Sequence, residues 1–364
     1  MYKIPIYASI VFSVIYFFNI LRFFLGLTKK NNIIINDKSI PLSIIVAVKN
    51  GGESVSRMLN NLLNQRYSGL LEFIIVDDCS IDNTKEIINN YVERDPRFKY
   101  VSSNIGASYL KYKKRALDAG IQSASYEHLL FTDIDCIIHQ KWAYSIAKCF
   151  SNNIDYVVGH AYVLDRKSIL NKFQRVDLFM LLFASKSMIL LGMPWASIGQ
   201  NQAYTKSLYN KLNGFKDIAS CLQGDDTLFL QLAYRNGAKI IFNDDMDSYV
   251  VSRTELSLKS FILQRARWSG DANIMWKFNV SFYITALSLW VMSASIIGLL
   301  FTNYFNLIIA ILSFKFIFEL LLYQLGMKKF NEKIKYIDFI IWSTIHPFYV
   351  FIMGMLSFFN FKWR

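Results

Sequence analysis

Three stretches of this chain carry acidic side chains where chemistry on a charged ligand needs them. Thr132-Asp133-Ile134-Asp135 closes an apolar run. Two carboxylates one residue apart suit a hard divalent cation such as Mg²⁺ or Mn²⁺, which prefers carboxylate oxygens and leaves positions open for phosphate. Such an ion would neutralise a diphosphate leaving group. Asp77-Asp78 also follows an apolar run. A carboxylate there either accepts the N–H of a uracil ring or hydroxyls of a ribose, or caps the next helix. Gly224-Asp225-Asp226 offers a general base, for which one well-placed carboxylate is enough.

Two further stretches bring backbone and cations. Val48-Lys49-Asn50-Gly51-Gly52 lets a ligand approach the main chain closely, or makes an ordinary strand-to-helix turn. It matches neither the dinucleotide nor the P-loop fingerprint. Gln264-Arg265-Ala266-Arg267-Trp268 interleaves guanidinium and indole groups. Arginine can clasp phosphate with two bonds, and tryptophan can stack on a sugar. A basic-aromatic belt at a membrane surface is the rival reading.

These residues need a scaffold. Residues 42–48 (LSIIVAV) and 71–77 (LEFIIVD) are continuous apolar runs, as for strands buried on both faces. Residues 98–102 and 128–132 read as a third and fourth strand. Residues 53–65, 84–92 and 111–123 have helical spacing. The alternation predicts an α/β fold, a mostly parallel twisted sheet with helices on both faces. Ligands on such sheets bind beyond the carboxyl ends of the strands, where the acidic residues fall. Residues 178–191 are apolar but too short to span a bilayer. They read either as a helix lying on the membrane or as a core helix.

The composition requires more than a soluble domain. Of 364 residues, 53% are hydrophobic and 18% charged. Residues 4–27 are apolar for long enough to cross a core of about 30 Å, with Arg22 placed to snorkel. Residues 280–301, 304–325 and 337–359 are comparable. Lys315 and Glu319 lie on one face of the third run. Alone at the bilayer centre each would cost about 2.5–3.5 kcal/mol, so a pair turned into the helix bundle is expected; a part in acceptor transit is the alternative. Lys29, Lys30 and Lys38 follow the first run. Lys328, Lys329, Lys333 and Lys335 separate the last two. The positive-inside rule makes both stretches cytoplasmic, leaving Lys362 and Arg364 outside if all four runs cross. A re-entrant or interfacial last segment would remove that conflict. The expected division is a membrane helix in 1–28, a cytoplasmic domain in 40–276 and a membrane region of about three helices in 277–364. The site of action is then the cell (inner) membrane. The net charge of +13 comes from scattered basic residues that flank apolar runs, so a membrane or phosphorylated partner is expected and nucleic acid is not. Cys79, Cys136, Cys149 and Cys221 form no metal-binding or redox spacing and read as free thiols.

Taken in order, VDDCSIDNT, TDID, GDDTLFL and QRARW resemble the family 2 glycosyltransferases. The likeness is strongest to the membrane-integrated branch that includes cellulose, chitin and hyaluronan synthases and ceramide glucosyltransferase. The resemblance implies a GT-A fold and inverting transfer from a UDP-sugar to a lipid or glycan acceptor, with Mg²⁺ or Mn²⁺. It implies that Lys49 and Asn50 lie near the nucleotide, and that Asp78, with Asp77, binds uracil. Lys113 and Lys114 line the donor pocket, because KKRAL resembles the family's GKxxAL. Asp133 and Asp135 hold diphosphate and metal. Asn201 belongs to an acceptor-side segment, Gln200–Tyr204. Asp225 and Asp226 take the place of the family's Glu-Asp pair, with Asp226 the base. Gln264, Arg265, Arg267 and Trp268 close over diphosphate and acceptor. Gly51, Tyr112 and Asp225 depart from the family pattern. A processive polysaccharide synthase and a catalytically silent nucleotide-sugar-binding scaffold are the alternatives to single transfers.

Overall fold

The computed structural model describes residues 3–30, 39–150 and 153–359. Lys38, Lys362 and Arg364 lie outside them. Strands β1 (Leu42–Val48), β2 (Leu71–Asp77), β3 (Phe98–Ser102) and β4 (His128–Phe131) match the four apolar runs. Short strands follow: β5 (Ile137–Ile138), β6 (Tyr156–Val158), β7 (Ala161–Val163), β8 (Gln202–Thr205), β9 (Ile240–Phe242) and β10 (Val250–Ser252). The main sheet has seven strands in the order β3-β2-β1-β4-β8-β6-β9. Its first four strands are parallel. β8 runs against both neighbours, β4 and β6. A second, three-stranded sheet, β5-β10-β7, lies beside it.

Register follows from burial on two faces. Leu42 pairs with Leu71 and Val48 with Asp77, and β1 is buried along nearly its whole length. Helices α2 (Gly52–Leu63), α3 (Thr84–Arg94) and α4 (Tyr112–Ser123) connect the parallel strands. A parallel sheet needs such crossovers. Gly120 lets α4 approach closely: a Cβ there would meet Ile45 Cγ2 at 2.5 Å. Helices α5 (Trp142–Ala147), α6 (Ile169–Leu190), α7 (Lys206–Lys211), α8 (Thr227–Arg235) and α9 (Leu258–Ile274) complete the domain.

Among the described residues, four helices are long and apolar enough to cross a membrane. They include α1 (Lys3–Thr28), α10 (Val280–Leu299), α11 (Phe305–Phe330) and α12 (Tyr336–Leu356). Lys315 Nζ contacts Glu319 Oε2 at 2.6 Å, both fully buried, and Tyr16 of α1 donates to Glu319. The pair is therefore a tie between α1 and α11, each charge satisfied inside the bundle.

The apolar stretch at 178–191 belongs to the longer helix α6, and its packing decides between the two readings. Most of α6 is buried. It packs against α1, α11, α12 and the sheet, so it is a core helix between the domain and the membrane helices. Its crossing with α1 is tight. Ser187 Oγ donates to Phe23 O at 2.6 Å, and a Cβ on Gly26 would lie 2.3 Å from Ser187 O.

The connection between α11 and α12 is bound to the domain. Lys335 pairs with Asp165 at 3.1 Å, Arg175 donates to Lys333 O at 3.0 Å, and Glu332 meets the buried His160. The end of the Lys-rich stretch is thus packed on the domain.

The α1–α6 crossing gives a direct test. Gly26→Ala forces backbone apart and should destabilise the chain by about 1–3 kcal/mol, read as a lower Tm in detergent. Gly298→Ala, with nothing within 4 Å of its Cβ, should leave Tm unchanged or slightly raised. Equal Tm values for wild type and Gly26→Ala would contradict this packing.

Candidate active site

The carboxyl edge of the parallel strands is strongly acidic, and one lysine sits in its middle. Asp133 follows β4. Asp225 and Asp226 come from the loop before α8, and Lys113 from the first turn of α4. Lys113 Nζ lies 2.7 Å from Asp133 Oδ1 and 3.5 Å from Asp225 Oδ2. Burial alone would lower the lysine pKa; the charges of Asp133, Asp225 and Asp226 outweigh it and raise the pKa. Lys113 is held as a cation.

Asp226 caps α8, accepting from Thr227 N at 2.5 Å and from Gly199 N at 3.0 Å. Burial, then the neighbouring Asp225 charge, pushes its pKa up to about 6. That places its proton affinity near working pH, as a general base requires. Gly224 precedes the pair at φ 102, a left-handed conformation that favours glycine. Lys114 fixes the same loop, donating to Cys221 O and, at 2.8 Å, to Gln223 O. Its side chain is buried beneath the cleft rather than lining a donor pocket, and burial lowers its pKa.

Asp135 stands beside this cluster. Burial and then the charge of Asp133 raise its pKa, while Arg253 and Lys113 oppose the shift. Among the described residues no three His, Cys, Asp or Glu side chains converge as an ion site. The two carboxylates of Asp133 and Asp135 would hold a cation only with oxygens from a ligand or water. Asp133 is already paired with Lys113, while the burial and Asp133 charge that raise the Asp135 pKa are what a cation held by both carboxylates would relieve.

The ends of β1 and β2 form an adjoining patch. Asn50 takes φ 50, and its amide oxygen accepts from Ile81 N at 2.9 Å. Gly51 is confined: a Cβ would meet Val48 Cγ2 at 2.5 Å and Ile134 Cγ1 at 3.6 Å. The first contact leaves little room for a side chain at this position, and the second joins the patch to the Asp133–Asp135 turn. A groove of about 510 Å³ opens here, lined by Asn50, Gly51, Gly52 and, opposite, Arg253. The two adjacent aspartates divide their work. Asp77 is buried and accepts from Ser80 N at 2.9 Å and Tyr100 OH at 3.0 Å. Asp78 faces outward, 3.7 Å from Lys49 Nζ.

Helix α9 carries the Gln264–Trp268 stretch. Arg265 is buried, 3.1 Å from Asp177 Oδ2, and Trp342 Nε1 donates to Asp177 Oδ1 at 3.3 Å. Its guanidinium also stacks 4.1 Å from the Trp268 ring. Arg265 therefore ties α9 to α6 and, through Asp177, to α12. Gln264 donates to Glu255 at 3.2 Å. Arg267 is half-buried and Trp268 is 37% exposed. Asn201 is fully buried. Its amide donates to His160 O and Ser248 O, both at 2.8 Å, and accepts from Trp142 Nε1 at 3.0 Å. With those partners it braces the start of β8 against His160, Ser248 and Trp142.

Two residues of this site, Gly199 and Asp271, escape sequence reasoning. A Cβ on Gly199 would sit 3.0 Å from Lys113 Nζ and 3.4 Å from Asp225 Oδ2; its nearness to the Gln200–Tyr204 segment was the available signal. Asp271 has its pKa raised to about 7 by burial and then by the charge of Asp226. Its spacing of three residues from Trp268 places both on one helical face. Tyr112 takes φ 55, which explains the glycine usual at that place. A side chain there costs roughly 1–2 kcal/mol.

A parallel-dominated sheet packed on apolar helices thus gathers its carboxylates at the edge where such sheets bind ligands. The chain belongs to the glycosyl transferase family group 2, whose model matches residues 128–356; the glycosyl transferase family 2 model matches residues 43–212. The poly-beta-1,6-N-acetyl-D-glucosamine synthase of Staphylococcus aureus (strain COL) is 31% identical over 178 residues, 48% of this chain and 41% of that protein. The synthase of the same name from Staphylococcus epidermidis is 31% identical over 138 residues, 37% of this chain and 32% of that one. The matched stretch thus spans less than half of these relatives' length. The mannosyltransferase PcManGT from Pyrobaculum calidifontis, solved in complex with GDP-Man and Mn²⁺, is 14% identical with a TM-score of 0.66, covering 98% of this chain and 99% of that one. This likeness establishes the GT-A-like fold.

The raised Asp226 pKa sets a pH dependence. A base works deprotonated, so the transfer rate should fall as pH drops through about 6. Asp225→Asn removes a negative neighbour and should move the midpoint to lower pH. A flat rate profile across about pH 5–8 would remove Asp226 from the role of base.

Proposed function

We propose that this glycosyltransferase moves a sugar, with inversion, from a UDP-sugar to a lipid-linked or membrane-associated acceptor. The carrying observation is the meeting of Lys113, Asp133, Asp225 and Asp226 within one cleft beside apolar helices. In this reading the acceptor hydroxyl oxygen attacks the anomeric carbon and its proton passes to Asp226. The bond from that carbon to the diphosphate oxygen breaks, and UDP leaves. Asp78, Lys49 and Asn50 hold the nucleotide. Asp133 and Asp135 hold a divalent cation, Mg²⁺ or Mn²⁺, which when bound offsets the diphosphate charge. Lys113 faces the same charge from α4. Arg267 and Trp268 lie over the acceptor. Gln264 orients their helix.

The domain in 40–276 faces the cytoplasm, between the membrane helix in 1–28 and the membrane region in 277–364. The packing of the end of the 328–335 lysine stretch on the domain supports this orientation. Processive polymer synthesis is the second reading, favoured by the stretch shared with poly-beta-1,6-N-acetyl-D-glucosamine synthases. A silent scaffold is disfavoured, because every candidate reacting carboxylate is retained and clustered.

The deciding experiment incubates purified full-length chain with each UDP-sugar and membrane lipid extract, and resolves the products by mass. One added sugar on a lipid is expected; a ladder of oligomers selects processive synthesis. Asp226→Asn should abolish both while UDP binding persists. Product formation by Asp226→Asn at the wild-type rate, or no product from any UDP-sugar, would overturn the proposal.

A further inference from the structure

The last apolar helix, α12, has the length of a span but is held on one side. Its 21 residues extend about 32 Å, enough to cross a core of about 30 Å. Crossing would require its two ends on opposite faces of the membrane. The start is fixed to the domain. Lys335 pairs with Asp165 at 3.1 Å, and the buried Asp338 lies 3.6 Å from Arg175 and 3.9 Å from Lys172. Asp165, Lys172 and Arg175 all belong to α6 or the loop before it.

The far end is held against a domain helix as well. Asn273 Nδ2, in the last turn of α9, donates to Ser357 Oγ at 2.7 Å. The α9–α10 junction is itself pinned to the domain. Asn279 Nδ2 donates to Gln231 Oε1 of α8 at 3.0 Å and to Pro194 O at 3.2 Å, and Arg235 donates to Lys277 O at 2.5 Å. Between its ends, α12 rests on domain helices. Trp342 donates to Asp177, and the Tyr349 ring stacks on Phe261 at 5.8 Å and meets Phe173 edge-on at 5.0 Å. Pro347 sits in the helix interior, where a missing backbone donor permits a bend.

The two faces of α12 differ. Asp338, Trp342 and His346 point into protein. Ile337, Ile340, Ile345, Phe348, Ile352 and Met355 are each at least 40% exposed and recur every three to five residues. Such a one-sided apolar stripe on a helix anchored at both ends suits the interfacial zone of a bilayer. It adjoins the spanning helices, with Trp290 of α10 packed against Gly354.

We infer that α12 lies re-entrant in the leaflet facing the domain, its apolar stripe covered by the acyl chains of that leaflet. The chain then crosses three times, through α1, α10 and α11, and residues after α12 emerge on the domain side. The inference is independent of the sugar-transfer chemistry.

Cysteine accessibility in cells tests it. Phe358→Cys and Asn303→Cys are made separately in the full chain, treated with a membrane-impermeant maleimide before and after permeabilisation, and read peptide by peptide by mass spectrometry. Native Cys79, exposed on the domain, is the reference in every sample. Position 358 is expected to label only under the conditions that label Cys79, and position 303 under the opposite conditions. Labelling of 358 together with 303 would overturn the inference. Phe359→Cys, in the same assay, serves if the first variant does not accumulate. If Cys79 labels in intact cells, the proposed cytoplasmic orientation fails while the pairing of 358 with Cys79 still decides this inference.

Discussion

The organisation of this protein depends on gathering negative charge at one edge of a sheet and holding it there with the ammonium groups of one helix. Asp133, Asp225 and Asp226 come from separate parts of the chain, and their mutual repulsion would drive them apart. Lys113 lies between the first two and lowers that cost. The placement is backed from below. α4 is seated on β1 and β2 through Gly120, and its next residue, Lys114, binds the carbonyls that lead into Gly224. A ligand-borne cation or a diphosphate entering this cleft meets charge already arranged for it, which is how preorganised sites act.

The membrane helices take part in the same arrangement. Asp177, buried on α6, meets Arg265 of α9 and Trp342 of α12 at once. A buried carboxylate of this kind is costly unless paired, and removing either partner leaves the other charge stranded. The pairing therefore fixes where α9 can lie, and α9 carries Asp271, whose pKa the Asp226 charge helps to raise, to the cleft. The Lys315–Glu319–Tyr16 contact and the Gly26–Ser187 crossing hold α1 and α11 against the same base. The catalytic face and the bundle are thus one packed unit.

Much of this was legible in the residues because its physics is periodic. Strands buried on both faces leave unbroken apolar runs, so β1 to β4 were read within a residue or so, and the acids after them fell at the expected edge. The poorly read parts depended on which way one of two neighbours points. Asp77 and Asp78, Lys113 and Lys114, and Arg265 and Arg267 are near-identical in sequence, yet one of each pair is buried as support. Only packing separates them. Asn201 resembled a ligand contact but is a saturated brace, because three partners from distant elements surround it. β5, β7 and β10 span two or three residues each, too few for a period to register.

The central claim is that Asp133 and Asp135 form a cation site completed by a diphosphate. Titrating purified chain with Mn²⁺ in the presence of UDP, with free ion followed by electron paramagnetic resonance, tests it most directly. One saturable ion per chain is predicted for the wild type, lost in both Asp133→Ala and Asp135→Ala. Unchanged Mn²⁺ binding in these two variants would contradict the account.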